Sequence, residues 1–150
     1  MPWADEILLA EDDTNFALLF ETACEYAGLP NPIRLVTDGQ EAIDYLQGHA
    51  PYQDRQAHPM PSLVVLDQRL PQLNGLEVLR WIRLQPELRD LTVVMLSGTE
   101  VPGEAQLAGE LGAASYLVKP FQFQDLMALA LELRGWLDRH LPPNDGEQAA

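Results

Sequence analysis

Lysine is nearly absent from this chain. The 150 residues contain one, Lys119, inside the apolar run SYLVKPFQF (Ser115–Phe123). Lysine and arginine together number 9 against 23 aspartates and glutamates, for a formal net charge of −14. A surface that acidic repels phosphate backbones and anionic headgroups, which argues against nucleic-acid and membrane-surface partners. Cysteine is equally scarce: Cys24 stands alone, so no internal disulfide is possible and a reducing cytoplasm is expected. Long hydrophobic runs are also missing, none approaching the roughly 20 residues of a membrane span. The opening MPWADEILLAEDD turns acidic where a secretory leader would be basic and then apolar. His49, His58 and His140 have no metal-ligand spacing. No glycine-rich dinucleotide or nucleoside-triphosphate motif follows any apolar run. A chain of this length that is 47% hydrophobic can bury one proper core, so a single cytoplasmic domain is expected.

Five short apolar runs are present: Ile7–Ala10, Ile33–Val36, Leu63–Leu66, Leu91–Leu96 and Ser115–Val118. Most are continuously apolar, the pattern of strands covered on both faces of a parallel sheet. Segments with helical spacing lie between them. The first carries Phe16, Leu19, Phe20, Ala23 and Ala27 and stops at Gly28. The others run from Gln40 to Gln47, Gly75 to Gln85, Gly103 to Leu111 (with a thin apolar stripe) and Gln124 to His140. Residues 49–62 form a polar, proline-marked insertion, and residues 142–150 are expected to be a flexible tail beyond a domain spanning residues 1–141. Strand alternating with helix five times predicts an open, doubly wound α/β sheet with right-handed crossovers. Ligands of such sheets bind outside the carboxyl ends of the strands.

The residues at those ends are therefore the informative ones. The first strand runs into Glu11, Asp12 and Asp13, the third into Asp67, the fourth into Ser97 and the fifth into Lys119. Several carboxylates, one hydroxyl and one ammonium thus meet at one rim. Clustered carboxylates repel one another unless a cation intervenes. An all-oxygen set suits Mg²⁺, which keeps waters and leaves positions for phosphoryl oxygens. Asp67, held between such an ion and Lys119, could act as a nucleophile on phosphorus and form an acyl phosphate.

The motifs LLAEDD, VVLDQRLPQLNG, VMLSG and SYLVKPF, in this order, resemble those of the receiver domains of two-component response regulators, over roughly Ile7 to Leu137. The resemblance implies a flavodoxin-like (βα)5 fold with strand order 2-1-3-4-5. It implies that Asp67 is the phosphoacceptor, that Asp12 is a direct Mg²⁺ ligand, and that Glu11 acts through a metal-bound water. The backbone carbonyl of Arg69 would complete the coordination. It further implies that Lys119 contacts the phosphate, that Ser97 and Tyr116 form the switch pair, and that a cis peptide precedes Pro120. The stretches NPIRLVTDGQEAIDYLQG and QPELRDL, with the YQDR-bearing insertion, resemble the narrower group of short receivers that partner phytochrome-type sensor histidine kinases. The chain departs from the pattern at Gln68, Arg69, Gly98 and Pro102-Gly103.

Each residue also has a plainer explanation. Asp13 caps the first helix whatever else is true, Asp67 could be a turn residue, and Tyr116 an ordinary strand aromatic. Cys24 is expected to be an inert core thiol. The last helix carries apolar residues on more than one side, which motivates a homodimer through the fourth helix, fifth strand and fifth helix. Three functions follow in order. The first is a phosphorylatable module receiving its phosphoryl group from a histidine kinase, and acting by protein contact or by passing phosphate to a phosphotransfer protein. It is not an enzyme beyond its own phosphorylation and dephosphorylation. The second is a phosphorylation-independent pseudo-receiver. The third, an aspartate phosphohydrolase, needs an acid two residues after Asp67, where Arg69 stands.

Overall fold

A computed structural model describes residues 6–140, with side chains described through Asp138. The tail expected at residues 142–150 lies outside the described residues. The chain alternates strand and helix throughout: β1 (Ile7–Ala10), α1 (Thr14–Tyr26), β2 (Ile33–Val36), α2 (Gly39–Gln47), β3 (Leu63–Asp67), α3 (Gly75–Leu84), β4 (Thr92–Ser97), α4 (Glu104–Glu110), β5 (Ser115–Val118) and α5 (Phe123–His140). A short 3₁₀ turn at Pro86–Leu88 links α3 to β4. All strand pairs are parallel and the order is β2-β1-β3-β4-β5, as the resemblance implied.

Alternation along the central strands divides the core in two. Leu8, Ala10, Val64 and Leu66 face α2, α3 and α4 with Ile43, Leu79, Ile82 and Ala108. Ile7, Leu9, Val65 and Val94 face α1 and α5 with Phe20, Ala23, Leu126 and Leu133. The central strands β1, β3 and β4 are buried along their whole length, whereas β2 and β5, at the edges, are partly exposed. Continuous apolar runs therefore mark the central strands best. Among the described residues no helix is long and apolar enough to cross a membrane.

Element ends follow local chemistry. Asp13 caps α1 by accepting from the N–H groups of Asn15 and Phe16, and Asp38 caps α2. Asn74 and Glu77 form a reciprocal capping box at α3. α4 is the weakest helix, at seven residues; it starts after Gly103 at φ 88° and has no side-chain cap. β4 lies one residue later than expected and ends on Ser97 itself.

The insertion contains no strand or helix but is firmly held. Arg55 donates to the carbonyls of Tyr45, Leu46 and His58. Tyr52 donates to Glu41, and Tyr45 to the Pro59 carbonyl. The rings of Tyr45, Tyr52 and His58 pack together. One expectation fails here: among the described residues the cis peptide is Ala50–Pro51, within this insertion, and Lys119–Pro120 is trans. Nothing in the structure explains that difference.

Candidate functional site

Strand register sets the site. Asp67 is the last residue of β3 and pairs with Leu96, one position before Ser97. Ser97 pairs with Val118, one position before Lys119, and the Lys119 N–H donates to the Ser97 carbonyl at 2.7 Å. Glu11 continues from β1, its N–H bonded to the Val36 carbonyl at 2.9 Å. Four strand ends thus deliver Glu11, Asp67, Ser97 and Lys119 to one edge.

Lys119 joins two of the acids. Its Nζ lies 2.7 Å from Glu11 Oε1 and 3.2 Å from Asp67 Oδ2. All three side chains are buried, Glu11 completely and Lys119 at 8% exposure. The other Glu11 oxygen accepts the Asp13 N–H at 3.0 Å, and Asp67 Oδ1 accepts the Arg69 N–H at 3.2 Å. Asp12 is exposed at the rim, and oxygens of Glu11, Asp12 and Asp67 lie within 4.8 Å of one another. Gly75 allows α3 to start directly behind the acceptor strand. A Cβ there would meet the Asp67 carbonyl oxygen at 2.6 Å and Met95 Cε at 2.9 Å.

Electrostatics show one cation against three acids. Burial pushes the Glu11 carboxyl up to about 7 from an ordinary 4.5; Lys119 and the Asp13 N–H pull it down, and Asp67 adds to the rise. Burial also works against the Lys119 ammonium, but its hydrogen bond to Glu11 and the charge of Asp67 outweigh it and raise its pKa. Lys119 is therefore charged, and even so it leaves the cluster anionic. An all-oxygen cluster that stays anionic fits a hard divalent cation with water still attached.

The two switch candidates meet beside this cluster. The Ser97 hydroxyl donates to the Thr99 carbonyl; burial raises the pKa of the Tyr116 phenol, Glu104 adds to the rise, and Ser97 works against it. The Tyr116 hydroxyl donates to Glu104 at 2.7 Å. Gln68 is buried; its Oε1 accepts the Leu76 N–H at 2.9 Å and its Nε2 donates to Glu104 at 3.2 Å. The Arg69 side chain is exposed. Glu104 escaped the sequence reading, because nothing in a surface glutamate on a short helix marks it as the common partner of Gln68 and Tyr116. Phe16 escaped for the opposite reason: its helical spacing already explained it as core.

The apolar excess on α5 mostly disappears. Leu126, Leu129, Leu133 and Leu137 are buried, and Met127 and Trp136 partly so. Leu131 is the large apolar side chain of α5 that remains exposed, together with Leu107 on α4 and Val118 on β5. Cys24 is buried, and burial pushes its thiol up to about 12, in keeping with an inert core residue.

Comparison with known proteins gives one consistent result. Residues 7–131 match the response regulator receiver domain family. A curated relative, the probable methanogenesis regulatory protein FilR2 of Methanothrix harundinacea, is 35% identical over 87% of this chain and 84% of its own. Response regulator Rcp1 of Synechocystis is 29% identical over 88% of each chain; the solved Mn²⁺-bound form of Rcp1 superposes with a TM-score of 0.80, covering 94% of this chain and 100% of that one, at 27% identity. Response regulator RPA3017, in red light signaling of R. palustris, superposes with a TM-score of 0.83 at 30% identity, covering 94% of this chain and 99% of that chain.

Proposed function

The chain belongs to the response regulator receiver domain family, and from that premise we propose that Asp67 accepts a phosphoryl group from a sensor histidine kinase and thereby changes the protein's contacts. The observation that carries this reading is the Lys119 ammonium lying between two buried carboxylates, 2.7 Å from Glu11 and 3.2 Å from Asp67. In the transfer, an Asp67 oxygen bonds to phosphorus as the phosphorus–nitrogen bond of the donor phosphohistidine breaks. The electron pair returns to the imidazole, which takes up a proton. Lys119, released from Asp67 as that carboxylate becomes an acyl phosphate, turns to the phosphoryl oxygens. The Ser97 hydroxyl leaves the Thr99 carbonyl to donate to the same group, and Tyr116, bonded to Glu104 beside it, carries the change to α4. Hydrolysis of the acyl phosphate resets the site, and the chain catalyses nothing beyond these two steps.

Mg²⁺ is the cofactor of this reading: Asp12, Asp67 and the Arg69 carbonyl would hold it, Glu11 would act on it through water, and it would supply charge neutralisation for phosphoryl transfer. The anionic cluster of Glu11, Asp12 and Asp67 supports that assignment. The kinase is of the phytochrome type, a reading supported by the likeness to RPA3017 and Rcp1. A phosphotransfer protein is a further candidate recipient. The exposed Leu107, Val118 and Leu131 support a homodimer through α4, β5 and α5, which light scattering across protein concentrations tests.

Incubation with acetyl phosphate and Mg²⁺, followed by intact mass, tests the reading itself. The expected result is a gain of one phosphate that is lost in Asp67→Asn. No gain at any Mg²⁺ concentration would favour a phosphorylation-independent interaction module.

A further inference from the structure

Besides its two carboxylates, Lys119 has an aromatic neighbour. Its Nζ stands 4.3 Å from the centroid of the Phe16 ring. Phe16 sits in the first turn of α1, is 3% exposed, and is fixed from two sides. Its N–H donates to the Asp13 carboxylate at 3.2 Å, and its ring stacks on Phe20 with centroids 6.2 Å apart. The same Asp13 gives its own N–H to Glu11. One short loop therefore places both the acid and the ring that face Lys119.

Leucine or methionine at this position would cover the core as well. A ring adds a face of negative potential, which attracts a cation most strongly where water has been removed. Buried Lys119 is such a cation, with three N–H donors to satisfy. Glu11 and Asp67 take up two directions and the ring lies in another. A carboxylate on that side would neutralise the ammonium further and compete for it; a neutral ring holds it and leaves its charge available. The need is greatest at transfer, when Lys119 must give up Asp67 and its flexible four-carbon stem would otherwise be free to wander.

We propose that Phe16 is a positioning residue for phosphoryl acceptance, its ring face holding the Lys119 ammonium in place while that ammonium exchanges the Asp67 carboxylate for phosphoryl oxygens. The proposal rests on the phosphoacceptor reading above and adds a residue to it.

The single lysine makes the contact directly observable, because selective ¹³C labelling of lysine yields one side-chain spin system. Protons of the Lys119 ε-methylene held over the ring face should resonate upfield of their position in the urea-unfolded chain. In Phe16→Leu they should return to that position, and in Phe16→Tyr, which keeps a ring face, they should stay upfield. Phosphate uptake from acetyl phosphate with Mg²⁺ should slow about tenfold in Phe16→Leu and stay near the wild-type rate in Phe16→Tyr. Urea titrations of each variant report packing separately. A ring that only fills space would lower stability while leaving the uptake rate of the folded variant unchanged, and that result would overturn the proposal. So would an unshifted lysine signal in the wild-type chain, which needs no variant to fold. A wild-type chain that takes up no phosphate sinks the phosphoacceptor reading instead, whereas uptake with an unshifted lysine sinks this inference alone.

Discussion

At the residue scale, Glu11 is the group of the acid cluster that burial displaces from its ordinary state. Burial raises its carboxyl to about 7 from an ordinary 4.5, so the native chain binds this proton more tightly than the unfolded chain does. From about pH 4.5 to about pH 7 the native state holds the extra proton, and stability falls as pH rises through that window. In EDTA, the urea midpoint should therefore drop between pH 5 and pH 7.5, with Glu11 contributing roughly 2–3 kcal/mol to the slope. Glu11→Gln removes that contribution, so its pH profile should be the flatter of the two. Equal slopes for both proteins would show that Glu11 is ionised at an ordinary pH. Residues such as Glu11, Asp67 and Lys119 were legible from sequence because each follows an apolar run, and parallel strands carry their ends to one edge whatever their order. Phe16 was illegible because an aromatic at a core-facing helical position has a sufficient explanation already.

At the scale of elements, two glycines with different surroundings separate packing from flexibility. Gly75 begins α3 against the backbone of Asp67, with no room for a methyl group. Gly75→Ala must push the helix or the acceptor strand aside; a loss of about 1–3 kcal/mol and slower phosphate uptake are expected together. Gly98, beside Ser97, has nothing within 4 Å of where a Cβ would stand. Gly98→Ala should fold unharmed and gain up to about 0.4–1 kcal/mol from a stiffer unfolded chain, so thermal unfolding of the pair distinguishes the two roles. The insertion makes a similar point. Its sequence has neither helical nor strand periodicity, and proline and polarity mark it only as an insertion. Order comes instead from Arg55 and three carbonyls, a pattern with no local signature because the carbonyls belong to α2 as well as to the loop. Arg55→Met should cost about 1–3 kcal/mol and speed chymotryptic cleavage at Tyr52, without altering phosphate uptake.

At the scale of the whole molecule, charge is the dominant fact. A net charge of −14 on 150 residues makes the folded chain repel itself, and compaction brings the acids closer. Monovalent salt should therefore raise the melting temperature by screening, since the Debye length falls to about 8 Å at physiological ionic strength. Mg²⁺ screens too, so a rise on adding it proves nothing by itself. The two effects separate when ionic strength is held constant while NaCl is exchanged for MgCl₂. A cation bound at the rim of Glu11, Asp12 and Asp67 stabilises the native state in proportion to the logarithm of its concentration above the dissociation constant, by about 2.7 kcal/mol at a hundredfold excess. Screening stays flat across the same exchange. Asp12 is the exposed member of the three, so Asp12→Asn leaves the core untouched and removes a proposed ligand. The wild-type chain should gain stability as NaCl gives way to MgCl₂ and the variant should not, although both should respond equally to NaCl. Equal responses of the two proteins to Mg²⁺ would mean that the acid cluster holds no ion, and that Lys119 alone balances Glu11 and Asp67.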